Sequence, residues 1–440
     1  MRAAFLSCLP LSLLLLAASL ADDWPQWLGT NRDSVWREDG IVERFPDEGL
    51  RAAWRTPVGI GYAGPAVQGG RVYLMDYIRQ SGEIRNNPSA KDTLTGQERV
   101  LCLDAGTGAV LWTHKYDRPY HFSFAGGPRC TPTVAGNKVY ALGAEGNLWC
   151  LDAETGRVVW SADFVEDFGA ATPMWGVASH PLIDGDLLFC VVGGKGSVAV
   201  AFEKDTGRKV WSALSASEQG YCPPTIIEHG GARQLLIWHG DSLNSLNPRT
   251  GALYWSLPVK PRFGMAIAAP RKLGSRLFAS AYGEAAMLAL DDSSPGADIL
   301  WRAQPADGLF SANCTPLFEG DTIYGCDVET GALMAVRSSD GKRLWQTLAP
   351  TSGGQRRDRY ATAFLVKHGN RFVLLSETGD LILANLSPEG YEEISRAHLL
   401  DPTNQTFGRP VVWSHPALAN RSIYARNDRE LICASMADPR

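Results

Sequence analysis

The sequence is poor in the features that mark several large functional classes. Its 42 Lys and Arg against 47 Asp and Glu leave a formal net charge of −5, and no stretch gathers basic residues. That excludes an electrostatic footprint for nucleic acid or for an anionic membrane surface. Beyond the N-terminus no apolar run approaches the ~20 residues that cross a bilayer, so no membrane span is expected. There is no Gly-x-Ser-x-Gly elbow, no phosphate-binding glycine loop, no zinc-binding helix and no Cys-x-x-Cys-His for haem attachment.

Glycine and tryptophan, in contrast, are plentiful: 45 and 14 in a chain of 440 residues. That usage leans towards many short strands and turns. The N-terminus has the three parts of a secretory signal: Arg2, an apolar stretch from Leu6 to Leu16, and a small-x-small cleavage site at Ser19-Leu20-Ala21. Residues 1–21 are therefore expected to be removed and the chain to be secreted or periplasmic. Cys8 lacks the small residues that a lipoprotein cleavage site needs before its cysteine, so no lipid anchor is expected.

A repeat organises the remainder. Asp-x-x-Thr-Gly-x-x-x-Trp, after an apolar strand, occurs as Asp104, Thr107, Gly108 and Trp112, and again as Asp152, Thr155, Gly156 and Trp160. It returns with Glu203, Thr206, Gly207 and Trp211, and with Asn247, Thr250, Gly251 and Trp255. Weaker copies end at Trp301 and Trp345, Gly390/Ile394 keeps the spacing, and Trp54 fits one more outer strand. The eight positions lie 44 to 58 residues apart, which brackets the propeller-blade period. In each turn the Asp and Thr can bond the local backbone, and Gly supplies positive φ. The tryptophan is placed to fill the gap between blades while keeping its N–H for a partner. These residues are read as structural.

A second alignment runs through Pro65, Pro132, Pro181, Pro224, Pro270, Pro316 and Pro416, each with a small residue two positions earlier. Strands crowding an axis require small residues there, so the cysteines at 130, 222 and 314 are read as small hydrophobes. Cys314 and Cys326, symmetric about Gly320, have a spacing compatible with a disulfide across a hairpin. The C-terminal segment supplies three strands of a last blade, and Leu50 to Pro57 supplies the fourth, which removes open edges. The fold expected is all-β: an eight-bladed propeller of four-stranded antiparallel blades over residues 49–440, preceded by an N-terminal cap over 22–48. The polar segment 78–98 is expected to be a loop.

The motif and its period resemble the PQQ-like repeat superfamily, which includes quinoprotein alcohol dehydrogenases and the assembly lipoprotein BamB. Trp24-Pro25-Gln26-Trp27 and the tail from Val412-Trp413-Ser414-His415-Pro416 to Arg426-Asn427-Asp428 are similar to secreted bacterial PQQ-like propellers of unassigned activity. The dehydrogenase resemblance implies PQQ and calcium. Against it, the chain lacks the adjacent cysteines those enzymes use, and their calcium ligands match no positions here.

Function is expected on the face opposite the Asp-x-x-Thr-Gly turns, where the links between blades converge on the axis. That face carries Phe122, Phe124, Arg129, Trp175, Tyr221, Arg262, Phe263, Phe310, Asn313, Arg359, Tyr360, Arg409 and Trp413, with His180 and His415 just before their prolines. Trp175, His180, Arg359, Tyr360, Trp413 and His415 form the candidate ligand-binding set. Asp76, Glu145, Asp241, Glu284, Asp327, Glu377 and Asp428 come from the loops between second and third strands and could ligate calcium. The leading reading is a monomeric, non-catalytic propeller of the periplasm or cell envelope with a protein or glycan partner. A PQQ- and calcium-dependent alcohol or polyol dehydrogenase and a carbohydrate-binding propeller are the alternatives.

Overall fold

Each Asp-x-x-Thr-Gly turn joins the third and fourth strands of a four-stranded antiparallel sheet, and eight such sheets are arranged as the blades of a propeller. The computed structural model describes residues 22–354 and 356–439; the expected signal peptide lies outside them. Blade 1 runs through Ala66–Gln68, Arg71–Ser81, Asp92–Asp104 and Val110–Asp117. Blade 8 takes Ala417–Ala419, Ser422–Arg426 and Glu430–Ser435 from the end of the chain, and its outer strand is Ala52–Pro57 from the beginning. Trp54 pairs with Cys433 in that junction, so the ring closes by hydrogen bonds between the chain's two ends.

The inner strand Ala417–Ala419 is buried throughout, whereas the outer strand Val110–Asp117 alternates between exposed and partly buried residues. The difference follows from position, since an inner strand has blades on both sides and an outer one faces water. All eight cysteines among the described residues are buried free thiols. Cys314 and Cys326 are included, so the disulfide that their spacing allows is not formed.

The repeat motif acts between blades as well as within them. Asp104 Oδ1 accepts from the backbone N–H groups of Gly106 and Thr107 and from the Thr107 hydroxyl, at 3.1, 2.8 and 2.8 Å. Asp152 does the same with Thr155. Gly108, Gly156, Gly207 and Gly251 sit at φ between 71° and 73°. Each also lies under the tryptophan of the preceding blade: a Cβ on Gly156 would come within 2.6 Å of the Trp112 ring, and one on Gly207 within 2.6 Å of Trp160. The indole N–H then donates to a backbone carbonyl in the same neighbouring turn, Trp112 to Ala153 O at 3.0 Å and Trp160 to Lys204 O at 2.9 Å. Trp255 is the exception and donates to Gln234 Oε1, because the next blade turns through Asp291–Gly296 without the motif glycine. Thr206 and Thr250 close their turns onto Glu203 and Asn247.

Residues 22–48 cross the face that carries these turns. Trp24 pairs with Val67 through two backbone bonds of 2.8 Å, and Pro25 O accepts from Val134 N. Farther along, Ser34 and Trp36 bracket Lys367, and Val42 donates to Met436 O. One segment thereby ties blades 1, 2, 7 and 8 together, with Trp24, Trp27 and Trp36 all buried. Arg32 donates to the carbonyls of Pro181 and His180, and its own carbonyl accepts from Arg271. Burial pushes both guanidinium groups down, to about 9 for Arg32 and about 10 for Arg271.

The segment 78–98 is not a loop. The second and third strands of blade 1 continue through it as a long hairpin, with Ile78 opposite Gln97 and Ser81 opposite Thr95. Asp92–Leu94 also pair with Tyr120–Phe122. Alternation hides in this stretch because its inward positions (Asp92, Leu94 and Gly96) mix polar and apolar residues. The hairpin tip is tethered across the ring, with the Asn86 amide donating to Asn404 Oδ1 and Ser123 Oγ donating to Asn87 O.

Candidate functional site: a closed-bottomed axial cavity

On the face opposite the cap, the axis opens into a cavity of about 200 Å³. All eight links between blades contribute to its wall. Position three before the blade proline recurs in it seven times, as Tyr62, Arg129, Ala178, Tyr221, Ile267, Asn313 and Trp413. This follows from geometry: the proline fixes the start of the innermost strand, and three residues earlier the incoming link passes nearest the axis. The blade without that proline breaks the register. There Arg359 occupies the equivalent position but does not line the cavity; its guanidinium turns to Glu329, at 2.7 Å, and Tyr360 lines the wall instead.

Five of the six candidate residues therefore meet at the axis, namely Trp175, His180, Tyr360, Trp413 and His415. Of the wider loop-face set, Phe124, Arg129, Tyr221 and Asn313 also line it. Phe263 lies outside at 67% exposure, and Arg262, Phe310 and Arg409 are not part of the wall. Sequence reasoning missed Tyr62, Met265, Phe364, Phe407 and the hairpin residue Pro88. The register of the prolines would have found Tyr62. Nothing local marks the others.

The cavity floor is aromatic and uncharged. Trp27 reaches in from the cap and stacks on His180 with centroids 4.7 Å apart and planes at 11°. It meets His415 edge-on at 5.7 Å, and Phe364 packs on His415 at 4.1 Å. His180 Nδ1 accepts from Thr131 N at 2.9 Å, which leaves the proton of the neutral ring on Nε2. Burial, aided by Arg32 and His415, holds the His180 imidazole well below its ordinary range, and burial pushes His415 down to about 3.

The rim is built differently. Tyr360 and Phe407 stack at 5.1 Å with planes 9° apart, and Phe124 faces Trp413 at 6.4 Å. Phe124, Tyr360 and Phe407 have φ of 54°, 62° and 46°. Such a conformation is uncommon for bulky residues and costs of order 1–3 kcal/mol each. Trp413 is oriented by Glu377, which accepts its indole N–H at 2.8 Å and pairs with Arg409 at 2.7 Å; burial raises the Glu377 carboxyl. Arg129 has no such partner. Its guanidinium donates to the carbonyls of Gly127, Ser123 and Phe124 and lies over the Tyr62 and Phe122 rings at 5.1 and 4.8 Å. Burial lowers its pKa, and the groups that act on it most strongly are the phenols of Tyr62, Tyr120 and Tyr221 and the Cys130 thiol.

Among the described residues no Asp or Glu lines the cavity. The seven loop-face acids are engaged elsewhere. Asp76 accepts from Gly59 N, Glu145 from His121 N, Asp241 from Ser217 N, Asp327 from Phe310 N and Asp428 from Gly61 N. Glu284 pairs with Arg302, and Glu377 with Arg409. They clip the inter-blade links in place. Asp327 does so through a second copy of the turn motif, Asp327-x-x-Thr330-Gly331, here on the loop face. Calcium needs six to eight oxygen ligands, carboxylates prominent among them, and no group of three or more His, Cys, Asp or Glu among the described residues is placed to hold a metal ion. The cavity does not fit a calcium-bound quinone.

Eight blades around such an axis, five of their junctions made by a tryptophan on a turn glycine, define a propeller of the PQQ-like repeat class. The model of the outer membrane protein assembly factor BamB family matches residues 96–347, more than half of the sequence, and the chain belongs to that family. No curated protein matches the sequence significantly. Among solved structures, BamB from Moraxella catarrhalis is 16% identical, with 86% of this chain and 96% of that one covered and a TM-score of 0.55. A quinohemoprotein alcohol dehydrogenase from Comamonas testosteroni is 12% identical, covering 95% and 81%, with a TM-score of 0.62. The computationally designed Ika8 protein is 10% identical, covering 88% and 98%, at 0.54. At such identities these likenesses show the fold. Among the described residues no helix is long and apolar enough to cross a membrane.

Proposed function

We propose that the chain is an exported, non-catalytic binding protein of the cell envelope that receives its ligand in the loop-face cavity. The observation that carries this reading is the lining itself: eight links converge on one aromatic chamber lined, among the described residues, by a single guanidinium and no carboxylate. General acid–base chemistry needs a group that titrates near the working pH, and both cavity histidines are held far below it. Concave, mostly apolar chambers with a few polar groups are the usual form of a small-molecule site. The family's description as an outer membrane protein assembly factor supports the compartment and a protein partner.

The dehydrogenase alternative keeps one observation in its favour, the stacked aromatic wall. Calorimetric titration of the mature chain with PQQ, with and without calcium, separates the two, paired with a dye-linked assay over alcohols. The expected result is no effect of calcium and no dye reduction. Saturable, calcium-dependent binding at micromolar affinity or tighter, with alcohol-dependent dye reduction, would overturn the binding-protein reading.

A further inference from the structure

The polar groups around the cavity are distributed unevenly, and this bears on what it can hold. On one side, Tyr360 and Phe407 lie 9° from parallel and Phe124 and Trp413 27°, the two pairs meeting at Phe124 and Phe407 with planes 45° apart. Stacked side chains of this kind complement a flat apolar molecule. Next to that wall, within hydrogen-bond reach of the Phe124 carbonyl, stands the Arg129 guanidinium. Three carbonyls hold it in place, but a carbonyl carries no charge to balance the cation. Arg409 on the same face is buried and has its Glu377, whereas Arg129 is half-buried at the cavity wall and its charge is left for the cavity. Guanidinium groups take carboxylates with short, charge-assisted and often bidentate bonds.

We infer that the cavity binds a planar, largely apolar molecule carrying one carboxylate, its ring against the aromatic side formed by Phe124, Tyr360, Phe407 and Trp413 and its anion on Arg129, with no divalent cation involved. The inference rests on the reading of the cavity as a ligand site and names the class of ligand. One cation without neighbouring acids matches a monoanion, whereas a tricarboxylate would leave two charges facing aromatic rings.

The test uses the full mature chain and two probes of equal shape, 1-naphthoate and uncharged 1-naphthalenemethanol, titrated calorimetrically in EDTA. Naphthoate is expected to bind tighter by roughly tenfold or more, the scale of one charge-assisted bond. Arg129→Met removes that preference while keeping the alcohol bound, and Arg129→Lys retains part of it. Because Arg129 also ties its own loop, Phe407→Ala on the exposed rim serves as the second variant. It is expected to weaken both probes alike and leave their ratio intact. Equal affinity for the two probes on the native chain, or naphthoate binding that requires calcium, would overturn the inference while leaving the cavity as a ligand site. If neither probe binds and Phe407→Ala changes nothing, the ligand-site reading falls with it.

Discussion

The two ends of the propeller axis are built from the same residue types and do opposite things. At the turn face, Trp24, Trp27 and Trp36 are buried, and Arg32 has carbonyls on every side. At the loop face, Trp175, Trp413 and Arg129 are all half-buried, and Arg129 is held by carbonyls with no ion pair. Both ends hold a guanidinium on backbone carbonyls with no ion pair, and both carry left-handed residues, Leu28, Arg32 and Ser34 under the cap and Phe124, Tyr360 and Phe407 at the rim. The chain itself covers the first set and leaves the second facing the cavity, so on the proposed reading stability belongs to the capped end and binding to the open one.

Breaking the capped end has the largest expected effect. Trp27→Ala removes a buried ring that closes the axis beneath His180, and a loss of about 3–5 kcal/mol in chemical denaturation is predicted. Trp413→Ala, the matching change at the open end, is expected to cost less than about 2 kcal/mol and to abolish probe binding. Similar losses of stability for both would erase the distinction. Next in size, Glu377→Ala strands Arg409 in a buried site and frees the Trp413 indole. The expected loss is about 3 kcal/mol, together with weakened binding.

The histidines at the boundary between the two ends sharpen the comparison through pH. Both have folded-state values depressed below the unfolded ~6.5, with His415 at about 3 and His180 well below its ordinary range. In that window the unfolded chain binds the extra protons. Their contribution is therefore complete above pH ~6.5 and is lost progressively as the pH falls towards 3, by up to ~1.4 kcal/mol per pH unit for each ring. A His180→Gln, His415→Gln chain should show a correspondingly shallower acid limb in urea midpoints against pH. The smallest effect concerns strain. Phe407→Gly relieves a left-handed backbone position and is expected to raise stability by about 0.5–1 kcal/mol while weakening the ligand; a loss of stability would mean that the conformation carries no strain.

The blade motif made the ring legible from the sequence because its chemistry is local. An Asp, a Thr and a Gly within five residues specify a turn wherever they occur, and the tryptophan four residues after the glycine reports the neighbouring blade. What the residues did not announce is that the glycine serves two ends at once, a positive φ and the space beneath the preceding tryptophan. The cavity was half legible. His180, His415, Trp175, Tyr360 and Trp413 could be placed near the axis by register. Arg359 shared that register, but a nearby Glu329 draws it outward. Phe364 and Phe407 reach the wall through inter-blade packing that no local pattern encodes. The hairpin over 78–98 escaped because its inward face is partly polar, its Asp92 paired with Arg85.

The most direct test of the two-ended account is the indole N–H region of an NMR spectrum, assigned by Trp→Phe variants and followed as either naphthalene probe is added. The account predicts shifts confined to Trp175 and Trp413, with Trp24, Trp27 and Trp36 unmoved except where Trp27 borders the floor. Shifts concentrated on Trp24 and Trp36, with Trp175 and Trp413 unchanged, would place binding at the capped end and contradict it.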